Sequence, residues 1–294
     1  MSLGRGTEEF LAALRSERGL SPATVEAYRR DLRQYLEFLD GRPPSPEEAS
    51  GFVGHLSERG LAASSIARKV AAVRGLHRFL VAESLSGDDP TLLLESPRRG
   101  RSLPKALTVG EVVGLLEAPD PSMPLGRRDR ALLEFLYATG ARVAEAVALD
   151  QIDLDLDDGT ALLTGKGGKQ RMVPVGSHAV TAVGAWLPDR LSLRRTGRDP
   201  GAVFLNARGS RLTRQGVFGI VRKAARKAGL PPDRVSPHVL RHSMATHMVE
   251  GGADLRSVQE LLGHASITTT QIYTSVSPRH LVEVYVLSHP RGSP

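Results

Sequence analysis

The 294-residue chain contains no cysteine and no long run of apolar residues. Without cysteine, disulfides, thiolate metal sites and a cysteine nucleophile are all excluded. No apolar stretch is long enough to span a bilayer, and residues 1–14, which carry Glu8 and Glu9, lack the pattern of a signal peptide. These absences predict a cytoplasmic protein with no membrane partner.

The composition is that of a folded globular protein. Hydrophobic residues make up 40% of the chain and charged residues 24%, which is typical of neither a disordered nor a membrane-embedded sequence. The length favours two domains of ordinary size.

Positive charge is concentrated in the C-terminal two-thirds of the chain. The formal net charge is +7, but residues 1–97 hold 12 basic and 14 acidic residues, so the whole excess lies in residues 98–294. Such an excess favours a polyanionic partner through phosphate contacts and counterion release, although a solubilising surface would also explain it.

Apolar spacing divides the chain into two parts. In residues 1–94, helices are predicted from Pro22 to Leu39, around Phe52 to Leu56, and from about Ser64 to Leu80, which together favour a small helical bundle. Residues 95–105 are basic, rich in proline and glycine, and nearly free of apolar residues, so they are predicted to be a linker. Residues 106–294 then form a second domain.

The second part alternates between helical and strand patterns. Thr108 is predicted to cap one helix, and others are expected at 127–139, at 143–149 and from residue 213 onward, where Pro237, Gly251, Asp254 and Gly263 mark helix ends. Residues 152–175 alternate around a glycine-rich tip, which indicates a β-hairpin. A short helix or turn is expected at 266–273.

Several polar residues lie where the predicted helices and hairpin do not need them, and they could together catalyse phosphoryl transfer. Forked guanidinium donors match phosphodiester oxygens, a tyrosine hydroxyl can attack phosphorus, and a lysine can protonate the departing oxygen. Histidines can contact the phosphate or carry the tyrosine proton. The candidates are Arg142, Lys166, His238, Arg241, His264 and Tyr273.

Taken singly, each candidate also has an ordinary structural interpretation. Tyr273 alone is typical of a packed aromatic residue with a solvated hydroxyl. Residues 165–169 are typical of a flexible hairpin tip and lack the spacing of a P-loop. His238 and His242 could suggest a metal site, but no glutamate stands in the zincin position and Arg241 would repel a cation. We therefore expect no metal and no cofactor.

Four longer stretches carry a pattern that single residues do not. They are residues 138–145 (ATGARVAE), 165–174 (GKGGKQRMVP), 236–247 (SPHVLRHSMATH) and 261–274 (LLGHASITTTQIYT). In order and surroundings they resemble the tyrosine recombinase family, and within it the bacterial Xer branch. The resemblance extends over essentially the whole chain, and the last two stretches are nearly free of gaps.

This resemblance implies a role for each candidate in binding and activating a scissile phosphate. Arg142 and Arg241 would bind it, with His238 assisting proton transfer and His264 donating a hydrogen bond to a non-bridging oxygen.

The resemblance likewise implies the covalent chemistry. Tyr273 would be the nucleophile that forms a 3′-phosphotyrosyl intermediate, and Lys166 the general acid for the 5′-hydroxyl. The 5′-hydroxyl of a partner strand would then attack the intermediate, so that neither ATP nor a metal is needed.

The implied fold is mainly α. It has an N-terminal helical, SAM-like core-binding domain and an α-rich catalytic domain with a small antiparallel sheet, which together form a clamp around DNA. The implied partners are a double-stranded recombination site, a paralogous recombinase in a tetramer on two such sites, and a DNA translocase. Residues 281–290 resemble the family's tail, which docks on a neighbouring protomer.

The Xer branch has two paralogous types, XerC and XerD, which act as a pair to resolve chromosome dimers at cell division. Residues 265–270 and the tail resemble the XerD type slightly more. Three residues depart from the family pattern: Ala141 replaces leucine, Met244 replaces phenylalanine, and Ser275 stands where histidine is frequent. All three lie beside catalytic positions, so they affect packing more than chemistry.

Three other functions compete with this interpretation. A phage or mobile-element integrase often carries an extra N-terminal domain, for which the sequence before Ser21 is too short. A type IB topoisomerase-like enzyme would share the chemistry but relax DNA as a monomer. A DNA-binding regulator would have lost the catalytic set, whereas all six positions here hold competent residues.

Overall fold

The structure, a computed structural model, describes residues 3–16, 20, 22–94, 106–193, 201–263 and 278–292; of Ser16, Lys166, Pro278 and Arg279 it describes the backbone alone. The chain divides into two compact units, Met1–Ser102 and Leu103–Pro294, and each has its own apolar core. The predicted linker at 95–105 lies outside the described residues, so the domain boundaries stay a prediction.

The first unit is helical in all its described regular structure. Its helices are α1 (Leu3–Ser16), α2 (Pro22–Leu39), α3 (Pro46–Glu58) and α4 (Ala63–Ala82). The spacing of apolar residues predicted the last three, while α1 was not predicted. In the core, Tyr35 of α2 is fully buried and its hydroxyl lies 3.2 Å from His77 Nε2 of α4, so two buried polar groups satisfy each other.

The second unit holds the remaining elements. They are α5 (Val109–Glu117), α6 (Pro124–Thr139), α7 (Val143–Ala148), β1 (Leu154–Asp155), β2 (Thr160–Thr164), β3 (Gln170–Pro174), α8 (Ser177–Leu193), α9 (Arg214–Lys227), α10 (Pro237–Glu250), α11 (Leu255–Leu262) and α12 (Pro278–Ser288). Every residue of α6 from 131 to 139 is buried, so this helix forms the centre of the core. A mainly α fold with one small sheet was predicted and is confirmed.

The predicted hairpin forms part of a three-stranded antiparallel sheet in the order β1-β2-β3. The β2–β3 pairing places Leu163 opposite Arg171, and the tip between them is the glycine-rich turn that the sequence predicted. One detail differs: Gln151–Asp153 is a 3-10 turn, so strand pairing starts only at Leu154. Ile152 is 94% exposed and packs against no core, which explains why the alternating pattern that begins at this residue does not extend the strand.

Two features of the second unit were not predicted. Helix α8 packs on α6, and its Trp186 is fully buried with the indole N–H donating to Val203 O at 2.9 Å. The tail, α12, packs on α10 and α11 of its own chain, and the buried Arg291 beyond it pairs with Glu134 of α6. Docking of the tail on a neighbouring protomer stays a prediction.

Among the described residues, no helix combines the length and apolar character needed to cross a membrane.

Candidate active site

A tight turn between α6 and α7 places Arg142 at the start of α7. Gly140 ends α6 with φ 58°, a left-handed conformation that favours glycine. A side chain there would also meet Leu262, because an added Cβ would lie 2.7 Å from Leu262 Cδ2. The turn therefore brings the end of α6 and the start of α7 directly against the end of α11. The predicted position of Arg142, directly after a helix stop, is confirmed.

Glu145 is the acidic residue of this site. Its side chain is 2% exposed and accepts four hydrogen bonds, two from Arg142 and two from Arg171. Burial alone would raise the pKa of Glu145, but the hydrogen bonds from Arg171 and Arg142 outweigh it and lower this pKa to about 2. The carboxylate is therefore ionised at neutral pH and fully used by the two arginines.

Arg241 lies on the buried side of α10 and is only 9% exposed. It donates from Nη1 to Gly140 O and from Nη2 to Leu262 O, the latter at 2.6 Å. Burial, followed by the positive charge of Arg142, lowers the pKa of Arg241 to about 10, so the guanidinium remains charged at neutral pH.

The end of α11 gathers three arginines, the arginine cluster of Arg142, Arg171 and Arg241. Consecutive carbonyls accept from different members: Leu261 O from Arg171 Nε at 3.0 Å, Leu262 O from Arg241, and Gly263 O from Arg142 Nη2 at 3.3 Å. The last carbonyls of a helix lack intrahelical partners and carry partial negative charge, so they suit guanidinium donors.

The arginine cluster is electrostatically incomplete. Glu145 pairs with Arg142 and Arg171, while Arg241 bonds only backbone carbonyls, so three cations face one carboxylate among the described residues of the site. Arg142 keeps 42% of its side chain exposed, whereas Arg171 keeps 15%. The cluster thus offers its open face to an anion through Arg142, and a phosphodiester has the charge and the oxygen spacing that forked donors match.

His238 is placed on the same helix as Arg241 but in a different environment. Ser236 caps α10 by accepting from Val239 N at 3.3 Å, and His238 follows in the first turn. Its side chain is exposed, and no hydrogen bond joins it to the arginine cluster within the described part of the chain. The structure thus brings Arg142 and Arg241 together at one helix end and leaves His238 open to solvent beside them.

Lys166 lies at the tip of the hairpin, as predicted. The turn Lys166–Gly168 joins β2 and β3, and Gly165 N donates to Lys169 O at 2.7 Å to close it. Gly167 and Gly168 both have φ of 76°, which explains why this tip needs glycines.

The remaining two predicted residues belong to the sequence that follows α11. His264 and Tyr273 lie outside the described residues, although His264 directly follows Gly263, the left-handed residue that ends α11. The roles of all six predicted residues stay predictions.

Sequence reasoning gave no role to two residues of this site, Glu145 and Arg171. Both left a signal in the sequence. Glu145 stands three residues after Arg142, the spacing of a capping box. Arg171 shares its strand phase with Val173 and Val175, so a cation occupies a position that alternation assigns to the inner face of the sheet.

Comparison with known protein families decides the classification of the chain. The model of the "Phage integrase family" matches residues 105–280, and the model "Phage integrase, N-terminal SAM-like domain" matches residues 7–84. This chain belongs to the phage integrase family. Its members include the tyrosine recombinases that the four sequence stretches resemble, so the predicted family and the SAM-like N-terminal fold are confirmed.

Curated relatives are similar over nearly the full length. The tyrosine recombinase XerD of Mycobacterium tuberculosis (strain H37Rv) is 49% identical, with 96% of each chain covered. The XerD proteins of Bifidobacterium longum and of Listeria monocytogenes (serotype 4b) are each 44% identical, with 98% of both chains covered for the first and 97% of this chain and 98% of the relative for the second. The predicted resemblance to the XerD type is confirmed.

Solved structures support the same assignment. XerH recombinase bound to its palindromic difH substrate is 26% identical, with a TM-score of 0.69 and coverage of 96% of this chain and 84% of that one. XerA recombinase is 29% identical, with a TM-score of 0.51 and coverage of 98% and 99%. This member of the phage integrase family is a site-specific tyrosine recombinase, an enzyme that cleaves and rejoins DNA.

Proposed function

We propose that recombination by this enzyme takes place at the end of α11, where Arg142 and Arg241 of the arginine cluster bind the scissile phosphate. One observation carries the proposal: three guanidinium groups converge on Leu261, Leu262 and Gly263, immediately before His264 in the chain. Preorganised cations at this point would stabilise the charge that develops on a pentavalent phosphorus. Arg142 and Arg241 contact the phosphate, and His238 and His264 add hydrogen bonds to it.

The covalent step follows from the residues that the family motifs supply. The hydroxyl oxygen of Tyr273 attacks phosphorus, its proton passes to a neighbouring base, and the bond from phosphorus to the 5′-oxygen breaks. Lys166 gives a proton to that oxygen, which leaves as a 5′-hydroxyl. The 3′-phosphotyrosyl bond stores the energy of the broken phosphodiester. Attack by the 5′-hydroxyl of another strand reverses the step and releases Tyr273.

We further propose that this reaction resolves chromosome dimers at cell division. The support is the identity of 41–49% to proteins named XerD over nearly the whole chain. In this role the enzyme binds a double-stranded recombination site and works with a paralogous recombinase of the XerC type in a tetramer on two sites. The tail docks on a neighbouring protomer, and a DNA translocase controls the assembly in the cytoplasm.

The test uses a duplex carrying a candidate dimer-resolution site with a nick beside the scissile phosphate. The short cleaved fragment diffuses away, so the covalent intermediate accumulates. We expect the wild-type chain to give a protein–DNA adduct on a denaturing gel and Tyr273→Phe to bind the duplex without forming one. An adduct with Tyr273→Phe would show that another residue is the nucleophile.

The paired role is tested on the same gel. Wild type that binds without an adduct, alone and with the paralogous recombinase added, would contradict the proposal. An adduct that appears only with the paralogue would show that cleavage depends on the partner.

A further inference from the structure

Arg171 takes no part in the proposed covalent chemistry, yet its side chain bonds to two other elements of the site. It is the only arginine of β3, the strand that follows the Lys166 turn, and its three donating nitrogens are all engaged. Nη1 and Nη2 each donate to Glu145 at 2.8 Å, and Nε donates to Leu261 O at 3.0 Å. One side chain therefore joins the hairpin to the start of α7 and to the end of α11.

The hairpin tip is short and closed, so the position of Arg171 is transmitted to Lys166. The bond from Gly165 N to Lys169 O closes the turn, and the pairs Thr164–Gln170 and Leu163–Arg171 continue the ladder directly below it. Beyond the tip, the side chain of Arg171 bonds to Glu145 of α7 and to Leu261 O of α11. These bonds therefore fix the position and orientation of the Lys166 turn relative to α7 and α11.

Arg142 does not depend on Arg171 in the same way. Glu145 accepts both the backbone N–H of Arg142 at 2.7 Å and its Nη1 at 2.9 Å, and Gly263 O accepts from Nη2. None of these contacts involves an atom of Arg171, so we expect them to remain when Arg171 is changed. The hairpin, by contrast, loses both of its side-chain links to the phosphate-binding elements.

We propose that Arg171 is a positioning residue that aligns the Lys166 hairpin with the phosphate held by Arg142 and Arg241. The proposal rests on the function proposed above, with Lys166 as the general acid. General acids contribute about 10²–10⁴-fold when they are in line with the leaving oxygen, and a displacement of ~1 Å is enough to lose much of this. Arg171 never touches the DNA in this account; its effect passes through Lys166.

The test compares two leaving groups. One nicked duplex has the ordinary 5′-oxygen at the scissile position and the other a 5′-bridging sulfur, which leaves as a thiolate and needs no proton. We expect Arg171→Lys, which keeps the charge but cannot fork onto Glu145, to cleave the oxygen duplex about 10- to 100-fold more slowly than wild type. On the sulfur duplex it should cleave at nearly the wild-type rate.

Three controls make the result specific. Lys166→Ala should show the same rescue by sulfur, and Arg142→Ala should stay slow on both duplexes. Arg127→Lys is the matched structural control, because Arg127 also places two nitrogens on one carboxylate, Asp189, and a third on a backbone carbonyl, Pro121 O, away from the site. It should cleave both duplexes like wild type.

Each outcome decides the proposal. The ratio of sulfur to oxygen rates is measured on one protein preparation, so a fraction of unfolded protein cancels. An Arg171→Lys ratio equal to that of wild type, whether both rates fall or neither does, overturns the positioning role. If Lys166→Ala is not rescued by sulfur, the assignment of Lys166 as the acid is wrong and the inference fails with it. The two failures are distinguishable because they appear in different variants.

Discussion

At the scale of single residues, Arg142 and Arg241 differ in how far the fold covers them. Arg142 is 42% exposed at the start of a helix, whereas Arg241 is 9% exposed and bonds two backbone carbonyls between elements. Truncating a buried arginine leaves the carbonyls that it bonds without donors, whereas water can replace the donors of an exposed arginine. Substituting the two arginines one at a time can therefore distinguish an effect on phosphate binding from an effect on fold stability.

We predict that Arg142→Ala lowers the rate of covalent cleavage about a hundredfold. Its unfolding free energy should change by less than about 1 kcal/mol. Arg241→Ala should lose cleavage to a similar degree and also destabilise the fold by about 2–3 kcal/mol, because Gly140 O and Leu262 O lose their donor. The measurements are single-turnover cleavage of the nicked duplex and urea unfolding. Wild-type cleavage by either variant would refute its role.

Glu145 makes a prediction about pH. Its pKa is about 2 in the folded chain against an ordinary 4.5, so the folded state favours the carboxylate. A lowered pKa stabilises the fold above the unfolded value, and this contribution disappears as pH falls from about 4.5 towards 2. Glu145→Gln should therefore cost about 3 kcal/mol at neutral pH, and much less at about pH 3.

Urea unfolding of wild type and variant at several pH values measures this difference. The matched control is Glu260→Gln, whose carboxylate pairs with Arg256 at 2.9 Å on the surface of α11. A surface pair of this kind is worth less than about 1 kcal/mol. A Glu145→Gln effect that stays constant between neutral and acidic pH would show that the carboxylate charge is not what stabilises the site.

At the scale of elements, the end of α11 depends on Gly263. Its φ is 64°, and an added Cβ would lie 3.1 Å from Arg171 Cδ and 3.2 Å from two of its guanidinium nitrogens. The helix can end in this conformation only because no side chain stands between it and β3. The same glycine directs the chain into the segment that carries His264.

We predict that Gly263→Ala destabilises the fold by about 1–2 kcal/mol and reduces cleavage at least about tenfold, since it displaces Arg171 as well as straining the backbone. Gly229→Ala is the control: Gly229 has a similar φ of 71°, but an added Cβ there meets nothing within 4 Å. It should cost a similar backbone strain and leave cleavage unchanged. Equal cleavage by the two variants would show that the contact with Arg171 does not matter.

At the scale of the whole molecule, the uneven charge determines how the enzyme meets DNA. The net charge of +7 arises entirely from residues 98–294, which contain the arginine cluster. Contacts to phosphate release counterions, so affinity depends on salt more than on base sequence.

We predict that affinity for duplex DNA falls by about 10³- to 10⁵-fold between 50 and 200 mM salt, the range for some 6–10 phosphate contacts. Fluorescence anisotropy at several salt concentrations measures the slope. Tyr273→Phe serves as the control and should have the wild-type slope, because the substitution changes no formal charge. A shallow slope would indicate that phosphate contacts are few.

Much of the architecture could be predicted because its signals are local. Thr108 caps α5 as predicted, with Glu111 completing a capping box, and Gly140 and Gly263 end their helices where predicted. Helices α1 and α8 were missed for equally local reasons. The first carries two glycines near its start, and the second contains Pro188, so neither shows an uninterrupted helical pattern.

Some features of the site are also encoded locally in the sequence. The sequence determined which chemical groups are present, because Arg142, Lys166 and Arg241 stand in motifs whose wording can be read directly along the chain. It also determined that Arg142 lies at a helix start and Lys166 on a hairpin tip, since caps and glycines act within a few residues.

Only the tertiary structure decided how the groups are held. Arg171 lies 26 residues from Glu145 and 90 from Leu261, and Arg241 lies 101 from Gly140. No local propensity encodes such pairings, because they form only when β3, α7, α10 and α11 pack around one core. The physical reason is that a buried guanidinium must find acceptors for its donors wherever the fold provides them, and here the fold provides the last carbonyls of α11.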